Sequence, residues 1–170
     1  MDIETTTFSG NTLKRNIPAV KLGIVAVSRD CFPLVLSEQR LERVLASCRA
    51  KKIPVIATRQ IVEKETDIPP ALQELNKKGV NALVYLGNFG PEGPIAILCQ
   101  KFLGPVMVCG AAEESVDNLY DGRGDAYCGL LSASYNLKLR NIKAYIPESP
   151  IGMPDEVAGM VESFIPVARI

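Results

Sequence analysis

The sequence predicts an α/β fold: a three-layer sandwich in which helices cover both faces of a five-stranded parallel sheet. Three observations carry that expectation. Short apolar runs, centred on residues 20–27, 53–58, 81–86, 105–109 and 143–146, alternate with segments of helical period. The first run is apolar at nearly every position, as a strand buried on both faces requires. Each run is separated from the next by enough chain for a crossover, which parallel neighbours need and which is nearly always right-handed.

Residues 1–18 show no period and read as an amino-terminal arm, and residues 19–170 as one domain. Val20, Ile24, Val25 and Val27 mark the first strand. Ser37 offers an N-cap, and Leu41, Val44, Leu45 and Cys48 follow on one helical face. The second strand covers 53–58, with Pro54 near its start. A polar loop leads to a helix over 71–78 that Gly79 ends. The third strand covers 81–86, the third helix 95–103 and the fourth strand 105–109. A polar stretch over 111–124 precedes a fourth helix with Leu130, Leu131, Ser134 and Leu137 facing inward. A short strand over 143–146 and a helix from Asp155, entered through Pro154, complete the alternation. A flavodoxin-like sheet of order 2-1-3-4-5 is the economical arrangement.

Composition narrows the function. Nineteen Lys and Arg balance nineteen Asp and Glu, and no basic stripe is interleaved with aromatics, so nucleic acid is not an expected partner. The first residues lack a signal peptide's basic start and apolar run, and no later run reaches membrane-spanning length; a cytoplasmic protein without a membrane partner is expected. The five cysteines lack CxxC spacing and read as reduced thiols, bound neither in disulfides nor to zinc. The chain has no histidine, which removes Ser-His-Asp and Cys-His mechanisms and the commonest proton carrier at neutral pH.

Ligands of open α/β sheets gather beyond the carboxyl ends of the strands. That rule selects the loops at 28–33, after Thr58, at 87–93, at 110–124 and at 147–150. Arg29 and Asp30 form a polar pair directly after the first strand, or a local ion pair. The loop at 87–93 holds three glycines with Asn88, Phe89 and Glu92, so the backbone can approach a ligand while Asn88 addresses hydroxyls; a plain turn and helix start explain it as well. Arg123 lies between Asp121 and Asp125, and Asp125 is also a natural helix cap. Glu113, Glu114 and Asp117 lack calcium-loop spacing and read as solvated charge. Cys109 ends a strand where a nucleophile could sit, but without histidine it reads as a buried strand cysteine.

Taken in order, Gly87-Asn88-Phe89-Gly90-Pro91-Glu92, Asp121-Gly122-Arg123-Gly124-Asp125-Ala126-Tyr127-Cys128-Gly129, Ser134-Tyr135-Asn136-Leu137 and Pro147-Glu148-Ser149-Pro150 resemble the amino-terminal domain of the L-fucose/L-arabinose isomerase-like family. The closing Phe164-Ile165-Pro166-Val167-Ala168-Arg169 extends the resemblance over nearly the whole chain. It implies an aldose–ketose isomerase acting through an enediol, with Mn2+ or another divalent ion as Lewis acid. It also implies that the metal ligands and the acid/base pair lie beyond Ile170, so that this chain contains no catalytic or metal-binding residue, needs no cofactor of its own and is inactive alone. By that analogy Arg29, Asp30, Asn88, Phe89, Glu92 and Arg123 are substrate-side or interface residues. The expected partners are a small sugar, the carboxyl-terminal domains and neighbouring subunits of a homo-oligomer. The apolar end, Val167 to Ile170, fits a chain truncated at 170. The alternative is a free-standing flavodoxin-like module binding a sugar or nucleotide; a thiol enzyme built on Cys109 is a third reading.

Overall fold

The computed structural model describes residues 17–29, 31–88, 92–115 and 124–169. Strands β1 (Leu22–Val27), β2 (Val55–Ala57), β3 (Ala82–Gly87), β4 (Val106–Ala111) and β5 (Ile151–Gly152) form one sheet of order β2-β1-β3-β4-β5. Every pairing is parallel. The expected sheet and its order are therefore both present.

The helices are α1 (Leu34–Ala50), α2 (Ile68–Lys77), α3 (Glu92–Lys101), α4 (Ala126–Leu139) and α5 (Pro154–Val167). Side chains alternate across each strand and so divide the core in two. Ile24 and Ala26, Val84 and Leu86, Met107 and Cys109 point to the layer holding α1 and α5. Val25 and Val27, Leu83 and Tyr85, Val106 and Val108 point to the layer holding α2, α3 and α4. The first and third strands are buried at almost every position, which is why they read as unbroken apolar runs.

Three local readings are corrected. Helix α1 starts at Leu34, because Pro33 at φ −61° sets the chain up one turn earlier than Ser37. Ser37 is thus a buried helical residue and not the cap. The fifth strand is not continuous over 143–146. Tyr145 makes a single bridge to Met107, and ladder pairing resumes at Ile151–Gly152. Pro147 and Pro150 interrupt it, since proline has no N–H to give to a ladder. Finally, α4 buries Ala126, Gly129, Ala133 and Leu137, while Leu131 faces solvent. The small residues let the helix sit close to β4, where a Cβ on Gly110 would meet the Ala126 methyl at 3.2 Å.

Among the described residues no helix is long and apolar enough to cross a membrane. Most of the expected arm lies outside the described residues.

Candidate functional site

The sheet order reverses at β1 and β3, whose last paired residues are Val27 and Gly87. Ser28, Arg29 and Asn88 therefore leave the sheet side by side at the switch point, where α/β folds place ligands. Arg29 closes a short turn by accepting a hydrogen bond from the Phe32 amide at 2.9 Å. Glu92 opens α3. Asp30, Phe89 and Arg123 lie outside the described residues, as do Asp117 and Asp121.

Asn88 is 2% exposed and its amide is engaged at both ends. Its Oδ1 accepts from the Arg40 guanidinium, and its Nδ2 donates to Ser37 Oγ at 3.0 Å. Arg40, itself 3% exposed, also donates through Nη2 to Glu114 Oε2 at 2.7 Å and through Nε to both carboxylate oxygens at 3.3 Å. A forked pair of this kind fixes geometry as well as charge. Arg43 adds a more exposed contact to Glu114 Oε1 at 3.0 Å. The hydrogen bond from Arg40 is the main cause that holds the Glu114 carboxyl below its ordinary value, partly opposed by burial.

These contacts gather three elements under one rim. Ser37, Arg40 and Arg43 come from α1, Asn88 from the end of β3, and Glu114 from the exit of β4. The next residue along, Glu113, accepts from the Ala126 amide at 2.7 Å and so meets the positive end of α4. Asp125 caps the same helix by accepting from the Cys128 amide at 2.9 Å, as expected. Gly124 runs at φ +88°, where a Cβ would collide with the Asn88 amide. The base of the loop between β4 and α4 is thus pinned by Glu113, Glu114 and Gly124 together. Glu113 and Glu114, which composition suggested were solvated charge, each hold a protein partner, while the Glu114 side chain stays 39% exposed.

Arg40 and Ser37 were missed in the sequence. The signal was present: Arg40 is four residues before Val44 and shares its face, so a cation stood on the apolar stripe of α1. A charge placed there needs a buried partner.

Ala26, Leu86, Ala111, Ser37, Arg40 and Asn88 leave no space among them that admits a water molecule. Ligand pockets commonly span ~300–1,000 Å3. The base of the rim is therefore packed, and a ligand would rest above it. Cys109 lies below, 1% exposed, with burial pushing its thiol up to about 12. Buried in this way, Cys109 fits a packed strand cysteine and not an exposed nucleophile. Among the described residues no group of three or more Cys, Asp or Glu stands close enough together to hold a metal ion, so no chemical step is assigned to one on these residues.

The family model described as the fucose/sulfoquinovose isomerase N-terminal domain matches residues 23–170. The chain belongs to that family. The match takes in the whole sheet except Leu22, and with it the pinned loops at the switch point of this isomerase domain. No curated protein matches the chain.

Proposed function

We propose that this chain is the substrate-recognition and assembly domain of a sugar ketol-isomerase, one that interconverts an aldose and a ketose of the L-fucose type in the cytoplasm. The acid/base pair and the residues that bind a divalent ion such as Mn2+ lie, in this reading, outside the chain. The observation that supports it is the pinned rim: Arg40 of α1 ties Asn88 and Glu114, and with them the loops after β3 and β4, to one geometry at the switch point, within a chain of an isomerase family. Loops fixed from beneath keep their outer residues oriented, which is what a positioning surface needs.

In this reading Arg29, Asp30, Phe89, Glu92 and Arg123 are the residues assigned to a polyhydroxylated ligand or to the subunit interface. Asn88 acts from beneath, holding protein and not sugar. The carboxyl-terminal domains and a neighbouring subunit complete the pocket. The chain has no histidine, which agrees with proton transfer belonging to those other parts.

The test is calorimetry and turnover on the 170-residue chain with a panel of aldoses, ketoses and nucleotides. Half of a pocket should bind sugar no more tightly than about 1 mM and turn over none. Micromolar binding would favour a free-standing module, and unaided isomerisation would refute the proposal.

A further inference from the structure

The loop after Thr58 is not among the elements that Arg40 gathers at the rim. It follows the edge strand β2 and faces α2 across a groove of about 390 Å3, lined by Arg59, Pro70, Gln73, Glu74, Lys77 and Lys78. Sites for small ligands begin at about that size.

Both walls of the groove are fixed. The Thr58 and Val62 amides donate to the Ile24 and Ala26 carbonyls at 3.1 and 3.0 Å, so the turn carrying Arg59 is tied to β1 at each end. On α2, Ala71, Leu72 and Leu75 are buried, which leaves Gln73 and Lys77, one helical turn apart, on the exposed face. Glu74 joins the walls: its Oε2 accepts from the Arg59 amide at 3.0 Å and its Oε1 from Lys78 Nζ at 2.7 Å. The hydrogen bond from Lys78, and then that from Arg59, hold the Glu74 carboxyl below its ordinary value.

The charges left over define the ligand. Glu74 answers Lys78, while among the described residues neither the Arg59 guanidinium nor the Lys77 ammonium stands in a salt bridge. Two cations are therefore in excess around one groove, in a chain whose charges otherwise balance. A guanidinium presents paired N–H groups to the oxygens of a phosphate, an ammonium adds a point charge, and the Gln73 carboxamide adds a neutral donor. A phosphate monoester carries about two negative charges near neutrality, which matches the excess. A single carboxylate would answer only one of the two cations, and a nucleic acid needs a longer basic track.

We propose that the groove between Arg59 and α2 binds a dianionic phosphate group, free or carried by a small molecule as a monoester, with Arg59, Lys77 and Gln73 as its contacts. The proposal uses none of the rim residues, so it can fail without the isomerase reading and the reverse.

A nitrogen–proton NMR titration of the 170-residue chain in phosphate-free buffer tests it, with a hexose 6-phosphate, the same hexose unphosphorylated, and inorganic phosphate as probes. The ester should move the amides of Arg59, Gln73 and Lys77 with a Kd of about 1 mM at ~20 mM salt, weakening about threefold at ~200 mM. The plain hexose should leave those amides still. Inorganic phosphate should move the same amides; equal affinity identifies free phosphate as the occupant, and weaker affinity identifies the ester. Arg59→Gln combined with Lys77→Gln should weaken binding more than tenfold with an unchanged circular dichroism spectrum, since both side chains are exposed. Lys138→Gln combined with Lys143→Gln removes the same charge from exposed positions elsewhere and should change Kd less than twofold. No saturable shift at the groove up to about 20 mM ester, shifts confined to Arg29 and Asn88, or equal weakening by the two double substitutions each overturns the proposal.

Discussion

Arg40 shows how one buried charge organises a surface. A guanidinium taken from water is costly unless its donors are satisfied, and here Asn88 and Glu114 satisfy them from two other elements. Removing it leaves Glu114 only the exposed Arg43 and deprives Asn88 Oδ1 of its donor. Arg40→Ala should lower stability by about 2–3 kcal/mol, against within ~0.5 kcal/mol for the exposed Arg43→Ala, both read from urea unfolding. Because Glu114 titrates lower in the folded chain than in the unfolded one, its ion pair stabilises above the unfolded value and fades as pH falls through the folded one. Glu114→Gln should therefore be less stable than the parent chain near neutrality, and the gap should close below about pH 4. At this scale the sequence was legible in part. Asn88 stood out by its loop, whereas Glu114 looked like solvent-facing charge because its partner lies 74 residues away on α1. Spacing along a chain says nothing of a contact made that far off.

Elements were more legible where burial enforces pattern. Strands β1 and β3 are apolar on both sides because helices cover both faces, so their runs were unmistakable. The fifth strand was misplaced because apolar Ala144, Tyr145 and Ile146 suggested pairing that Pro147 and Pro150 cannot continue. In α4 Leu137 is buried and Leu130 packs on the core as expected, but Leu131 was assigned inward because it is large, whereas the small Ala126, Gly129 and Ala133 face the sheet. The contrast between a central and an interrupted strand is measurable. Hydrogen exchange should find the amides of β1 and β3 opening only with global unfolding, and those of Tyr145 and Gly152 exchanging much earlier. Equal protection at both places would contradict the interrupted edge.

For the whole molecule, fold class followed from alternation, and the strand order was the economical choice among the few topologies that parallel strands joined by helices admit. The same layered burial sorts the five thiols. Cys31 and Cys128 are exposed; burial raises the Cys48 thiol and pushes those of Cys99 and Cys109 up to about 12. A chromogenic disulfide reagent at about pH 8 should therefore label two cysteines quickly and the other three only on unfolding. Rapid labelling of a third would mean that one layer is looser than its packing implies.

Helix α1 belongs to two regions at once. Its Leu41, Val44 and Cys48 share a cluster with Val157, Val161 and Phe164 of α5, while Ser37 and Arg40, one turn up, hold the loops at the switch point. The helix is thus a lever with its fulcrum in the hydrocarbon seam. A substitution at Phe164, in that seam, would tilt the hand that steadies the rim.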